Sequence, residues 1–397
     1  RRSSDLTLAL ARDLGLTPVP SNAGARKRFL VHDGALARVP ENPIAFLRSP
    51  LLSPAGRLRV LAEPFARRRP PGDETVFHFA ARRIGTEAAA VLIDAMVTGV
   101  FAGDSAALSL RSAFPKMHAM ESAHGGLVRA MLAKKWARLR GRGDAAAGGP
   151  SGPGGVLSSF EGGFATLVER LAAALGDKVR TSTPVLGLAR RGGLFELATP
   201  AGAIKAERVL LAVPAAQCAA ILHDALPAAA GILRGIPAAP IAVAALAFPA
   251  RGFPHSLGGF GFLVPRRERL RILGALWSSS IFPARAPEDS VLLTCMAGGA
   301  RDTRAVTLPD AALVALVMED LAAVFGPLPA PTRKFIFRYE EGIAQYPPGH
   351  EDRLAALARV CGTMPGLHLA GSSFRGISVN LCVVQAERAA EAMAAGP

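Results

Sequence analysis

The stretch LHLAGSSFRGIS (367–378) sets two glycines, three serines and an arginine at the mouth of a predicted helix. A short apolar run (Leu367, Leu369) enters a turn marked by Gly371 and Gly376, and an Ala-rich helical stretch follows from about Ser378. Strand, glycine turn and helix is the layout of a nucleotide-binding motif. The pattern G-x-x-x-x-G-I-S is not a phosphate-binding P-loop, because Ile377 stands where a lysine would reach the phosphates. What remains is narrower. Gly371 and Gly376 let the backbone lie close against a flat ligand. The helix start offers unpaired N–H groups and the positive end of a dipole, which suit negative charge on a reduced ring. The spacing by itself fits a tight turn before a helix equally well.

No other residue set adds a catalytic constellation. Cys218, Cys295, Cys361 and Cys382 lie far apart with no CxxC, and they read as reduced thiols in a cytosolic protein. His118 and His124 are six apart, which is not a helical ligand pair, so no metal site is expected. No nucleophile or acid–base pair stands out, and no catalytic side chain is assigned.

Of 397 residues 50% are hydrophobic, enough for two domains or one large interleaved fold. The longest apolar runs, 88–103 and 236–250, are short of the ~20 residues that span a bilayer; one carries Asp94, the other three prolines. No signal peptide is read. The formal charge is +15, yet the basic residues are dispersed and aromatics make up only 6%, which argues against nucleic acid. Peripheral contact with anionic lipid and a plain soluble surface stay equally open, so the expected location is cytoplasmic or peripheral on the cytoplasmic membrane face.

These motifs must be carried by α/β material. Residues 1–16 read as a helix stopped by Gly15, and 27–40 as a hairpin with an Asp33–Gly34 turn. Helical periodicity runs through 74–103 and after Pro115, and 141–155 reads as a flexible low-complexity loop. An amphipathic helix (164–176) is followed by a three-stranded meander over 178–190, 193–199 and 204–214. Strands are expected at 241–248, 259–265, 272–279, 291–299 and 334 onward, and helices at 308–326 and 351–362.

Several segments in fixed order complete the picture. They are KRFLVHDGAL (27–36), VTGVFAGDSAALSLRSAFP (97–115), EGGFATL (161–167), LGALWSSSIFPARAPED (273–289), AQYPPGHEDRLAAL (344–357) and PGLHLAGSSFRGISVN (365–380). Together they resemble the protoporphyrinogen oxidase family, flavin enzymes of haem synthesis within the flavin amine oxidase superfamily. The resemblance runs from near Arg1 to near Ala394. It implies an FAD-binding Rossmann-like domain of the glutathione-reductase type, a mixed-sheet substrate domain and a helical insertion. The implied boundaries are 1–44 (start of the FAD and substrate domains), 45–140 (helical, membrane-binding-like), 141–155 (loop), 156–235 (FAD part), 236–345 (substrate part) and 346–397 (return to the FAD domain).

In this class the FAD domain is assembled from both ends of the chain, which explains a cofactor motif so late in the sequence. The family's first half carries G-x-G-x-x-G after a strand, and none is found here. The chain is therefore expected to begin after that unit, as an N-terminally truncated fragment lacking the pyrophosphate site and inactive alone. In VNLC (379–382), Leu381 also replaces the family's usual aspartate, which touches helix capping.

The resemblance further implies backbone contacts to adenine at Val185 and to the isoalloxazine at Ser372, Ile377, Ser378 and Val379, with Gly371 and Gly376 setting the geometry. It places Arg28 against a substrate propionate, Phe282 and Met296 against tetrapyrrole rings, and the Gly162–Gly163 pair where bulk would clash. The implied reaction is six-electron oxidation of protoporphyrinogen IX to protoporphyrin IX, with O2 as acceptor and H2O2 as product. Alternatives are coproporphyrinogen III as substrate, another amine oxidase or carotene desaturase type of flavoprotein, and a non-catalytic fragment unable to hold FAD. A homodimer is left open.

Overall fold

The computed structural model describes residues 3–67, 72–139 and 156–395, so the expected loop at 141–155 lies outside the described residues. The chain divides into two compact units. One gathers three stretches, up to Val19, Ser159–Ala238 and from Ile343 onward; the other takes Pro20–Ser158 and Ala239–Gly342.

In the first unit, helix Ser3–Asp13 packs against the 16-residue helix Val379–Ala394. Gly15 follows the first helix at φ +69°, where a side chain would be strained. Strands Val209–Leu211 and Leu367–Leu369 pair in parallel, Leu367 beside Val209 and Leu369 beside Leu211. A separate antiparallel meander runs Gly187–Arg191, Leu194–Thr199, Gly202–Ala206. Its buried side meets helices Ala215–Ile221, Pro227–Arg234 and His350–Cys361 over Leu188, Phe195, Leu222, Leu233, Leu357 and Phe374.

Two expected strands change here. The run 204–214 is not one strand: Gly202–Ala206 alternates toward solvent and stays in the meander, while the mostly buried Val209–Leu211 leaves to pair with Leu367–Leu369. Near-continuous apolar runs favour parallel pairing, and alternating ones suit a one-sided antiparallel sheet. The run 178–190 forms ladder only from Gly187. Pro184 has no N–H to give a neighbour, so Val185 sits in an extended segment ahead of the strand and packs on this core.

The second unit is built on a seven-stranded mixed sheet. From one edge to the other its strands are Arg333–Ala344, Ala238–Pro249, Ser290–Gly298, Ile272–Trp277, Gly261–Leu263, Arg28–His32 and Ala35–Arg38. Gly261–Leu263 and Arg28–His32 pair in parallel. The predicted hairpin forms, with Asp33 at φ 52° and Gly34 at φ 75° in the turn. Helix Asp310–Phe325 covers one face and buries Phe248, Phe262, Trp277, Leu293, Leu313 and Val317 with it. Its Asp320 accepts from the N–H groups of Arg271 (2.7 Å) and Ile272 (2.8 Å) and so fixes where the central strand, Ile272–Trp277, begins.

From Pro43–Arg48 to Leu127–Leu139 every named element is helical, with one π turn at Ala89–Ile93 inside the predicted 86–103 helix. A buried ionic network ties this segment together. Glu63 pairs with Arg83 and accepts from the N–H groups of Leu127 (2.9 Å) and Val128 (3.1 Å). Arg82 donates to Glu74 at 2.7 Å and to Glu121 at 2.8 Å. Among the described residues no helix is long and apolar enough to cross a membrane.

Candidate active site

Leu367–Leu369 ends at Ala370, and the chain turns through 371–376 before helix Val379–Ala394 begins. The turn relies on glycine in two places. Gly371 has φ +126° and Gly376 φ +100°. A Cβ on Gly376 would lie 2.1 Å from Leu381 Cδ1, so this position admits only glycine beside Leu381. At Gly371 the nearest atom to a Cβ would be the Ala212 carbonyl oxygen at 3.6 Å, leaving the backbone approachable.

Buried, uncharged polar groups hold the turn from beneath. The Tyr346 hydroxyl donates to the Ser372 carbonyl and accepts from the Gly376 N–H at 2.9 Å, joining the two ends of the turn. His350 stacks on Tyr346 with ring centroids 4.4 Å apart, and its Nε2 donates to the Phe374 carbonyl at 2.9 Å. Ser373 Oγ accepts from the Ala215 N–H at 3.0 Å. Both Tyr346 and His350 are fully buried. Burial pushes the Tyr346 hydroxyl up and the His350 imidazole down, so both stay neutral near pH 7.

Ser378 caps the helix, its side chain accepting from the Leu381 N–H at 3.3 Å. The first-turn N–H groups of Val379 and Asn380 have no carbonyl ahead of them in the helix. Beside them Val379 and Leu381 are 45% and 38% exposed. Approachable glycine backbone, a helix start and exposed apolar side chains fit a flat, partly apolar, electron-accepting ring.

The structure brings Gly371, Ser372, Gly376, Ile377, Ser378 and Val379 together in this one turn and helix start. Val185, Gly162 and Gly163 belong to the same unit. Gly163 has φ +95°, and a Cβ on Gly162 would meet Thr166 Oγ1 at 2.6 Å. Arg28, Phe282 and Met296 belong to the other unit. There Arg28, Gly261, Leu276, Thr294 and Ala245 form one row across five strands. Met296 is two residues beyond Thr294, beside Val243. Arg28 and Met296 therefore share the sheet face opposite helix Asp310–Phe325. Ser278 Oγ and Thr294 Oγ1 lie 2.7 Å apart, and Phe282 follows one turn after Ser278, its N–H bonded to the Ser278 carbonyl. The Arg28 guanidinium stacks over the Phe260 ring at 5.1 Å, and burial lowers its pKa while Glu41 opposes the shift.

Tyr346 and His350 were not among the expected site residues. The signal was available: a tyrosine and a histidine four apart within an otherwise turn-like QYPPGH.

Fold and site together define a flavin enzyme, and the chain belongs to the flavin containing amine oxidoreductase family, whose pattern it matches over residues 1–394. It is an oxidoreductase, and its cofactor is FAD. Among its relatives, coproporphyrinogen III oxidase of Bacillus subtilis (strain 168) is 29% identical over 96% of this chain and 82% of its own. Protoporphyrinogen oxidase of Bos taurus is 31% identical over 97% of this chain and 83% of its own. A solved structure from Exiguobacterium sp. 255-15, assigned as a protoporphyrinogen oxidase, superposes with a TM-score of 0.82 at 25% identity, covering 99% of this chain and 86% of that one.

Proposed function

We propose that the chain oxidises a porphyrinogen, protoporphyrinogen IX to protoporphyrin IX, with O2 as the final acceptor and H2O2 as product. The observation that carries the reading is the row on the sheet face of the second unit opposite helix Asp310–Phe325. One guanidinium, Arg28, stands at the end of a surface otherwise made of Gly261, Leu276, Thr294 and Ala245. A broad, mostly apolar macrocycle with carboxylates at its rim needs such a floor and such an end. Met296 and Phe282 add apolar contact to the rings. Bound FAD supplies the electron-accepting chemistry. This chain's own work is to hold and desolvate: the backbone at Gly371 and 377–379 receives the isoalloxazine, Val185 the adenine end, and the Gly162–Gly163 pair keeps a crowded turn free of bulk.

Coproporphyrinogen III is the second reading, favoured by the name of the Bacillus relative. It carries four carboxylates rather than two and asks for more cations than Arg28. Exposed Ile44, Leu47, Leu58 and Leu61 near Arg48 and Arg57 support peripheral contact with an anionic lipid surface.

The test supplies the FAD-loaded protein with each porphyrinogen in air and follows porphyrin fluorescence and O2 uptake against the spontaneous blank. Faster oxidation of protoporphyrinogen, with KM raised about tenfold or more in Arg28→Ala, is the expected result. A faster coproporphyrinogen rate moves the assignment to the second reading. No rate above blank from flavin-loaded protein on either substrate overturns both.

A further inference from the structure

Strand Arg333–Ala344 is the outermost strand of the seven-stranded sheet, so among the described residues one edge of its backbone faces no other strand. Its sequence begins RKFIFRYEE. Ile336 packs on the core, and Arg338 reaches back to Asp310 and the Leu308 carbonyl, both at 2.6 Å. The alternation of a strand then puts Phe335, Phe337 and Tyr339 on the other face. They are 49%, 50% and 52% exposed, a row of three half-bare rings at a sheet edge. Arg333 and Lys334 precede the row, and Glu340 and Glu341 follow it. All four are exposed, and no ion pair is recorded for any of them among the described residues.

We propose that this edge docks a second copy of the chain, the two strands pairing antiparallel about Phe337. In that arrangement each Phe337 meets its own counterpart and each Phe335 meets the Tyr339 of the other copy. Lys334 comes opposite Glu340, and Arg333 opposite Glu341, on both sides of the axis. Aromatic and opposite-charge pairs are the contacts that stabilise neighbouring strands, and backbone pairing at a free edge supplies the ladder. The order of charges also selects the arrangement. A parallel pairing sets lysine on lysine and glutamate on glutamate. A slip of two residues in one direction sets Lys334 against Arg338, and in the other it leaves Lys334 opposite Gly342. Charged residues on an edge commonly deter pairing, but they do so with like charges. Here the two ends of one strand carry opposite signs and attract in a single register. A Cβ on Gly342 would lie 3.2 Å from Tyr339 Cβ, so the strand kinks after Tyr339. The regular ladder therefore covers 333–339, and the glutamates reach their partners through flexible side chains.

Sedimentation of the FAD-loaded protein tests this without reference to its substrate. Wild type should dimerise in a concentration-dependent way and more weakly at high salt. Arg333→Glu with Lys334→Glu should weaken the dimer by about tenfold or more, and so should Glu340→Lys with Glu341→Lys. These are exposed positions, so unchanged circular dichroism and flavin absorbance should show that both variants fold. Mixed together, the two variants should recover a heterodimer. Wild type that stays monomeric, variants that dimerise as wild type does, or a mixture that stays monomeric would each overturn the proposal.

Discussion

Two regions of the molecule rely on buried polar groups, and they use opposite kinds. The buried groups that hold the turn at 371–376, Tyr346, His350 and Ser373, are neutral and bond to its backbone or from it, while the exposed Arg375 of the turn pairs with Glu351 at 3.1 Å. The helical segment is held by ions, Glu63 with Arg83 and Arg82 with Glu74 and Glu121. The difference teaches what each must do. The turn proposed to receive the flavin has its backbone direction fixed from beneath without a buried charge, and its charged side chain, Arg375, stays at the surface. The helical segment has elements to bring together from positions 63 to 128, and a bidentate guanidinium joins several segments at once. Neutral bonds are cheap to lose singly; a buried ion left alone is not.

The sharpest break is Arg83→Ala. It strands the Glu63 carboxylate, and a cost of about 3–5 kcal/mol is expected, read as a large fall in the urea midpoint. Next comes Gly376→Ala, which combines a left-handed φ of +100° with a clash on Leu381. A loss of about 1–3 kcal/mol and weaker FAD retention on dialysis are expected. Adding Leu381→Ala should relieve the clash and leave the backbone strain. Tyr346→Phe removes both bonds of one hydroxyl, for about 1–2 kcal/mol, with a shifted flavin absorbance band as the mark of a displaced turn. An unshifted band at normal FAD affinity would show that the hydroxyl serves stability alone.

The smallest effect separates the two regions by pH. Burial lowers the His350 pKa, the Phe374 carbonyl pulling the other way. The unfolded chain titrates near 6.5, so as pH falls below about 6.5 the unfolded state takes a proton that the folded state refuses, and stability drops. Above that value the group contributes no slope. Burial pushes the Glu63 carboxyl up, but bonds from Leu127, Arg83 and Val128 outweigh it and leave the pKa below 4.5. Its contribution is present above the unfolded value and is lost at lower pH, as the folded carboxylate takes a proton. Urea midpoints of wild type and His350→Gln should therefore converge between pH 7.5 and 5.5, before the ionic segment yields. Parallel midpoints across that range would remove His350 from the account.

Much of this was legible in the sequence wherever the signal was local. Gly15 and Gly176 stop helices as read, Asp33–Gly34 makes the hairpin turn, and Ser378 caps the last helix. The glycine turn proposed to receive the flavin stood out because two glycines and a helix start lie within eight residues. What stayed hidden depended on distance. Tyr346 meets Ser372 from 26 residues away and Gly376 from 30, and nothing near QYPPGH says which backbone it will hold. The row from Arg28 to Ala245 is a matter of register between strands, which no periodicity reports. The 204–214 run looked uniform because its apolar character hides the change from an antiparallel to a parallel neighbour.

The pairing of Val209–Leu211 with Leu367–Leu369 sets a schedule as well as a shape. Ala215 and Ser373, bonded just beyond that pair, are 158 residues apart. During synthesis, at about 5–20 residues per second, the first strand waits for several seconds or more with its apolar side chains bare. The second unit's sheet, finished by residue 344, can form in that interval. A nascent chain is thus expected to acquire its sheet first and its C-terminal glycine turn last, and a ribosome stalled before residue 367 would hold a folded platform with a sticky, unfinished half. The cell's quality-control machinery would have to recognise that species.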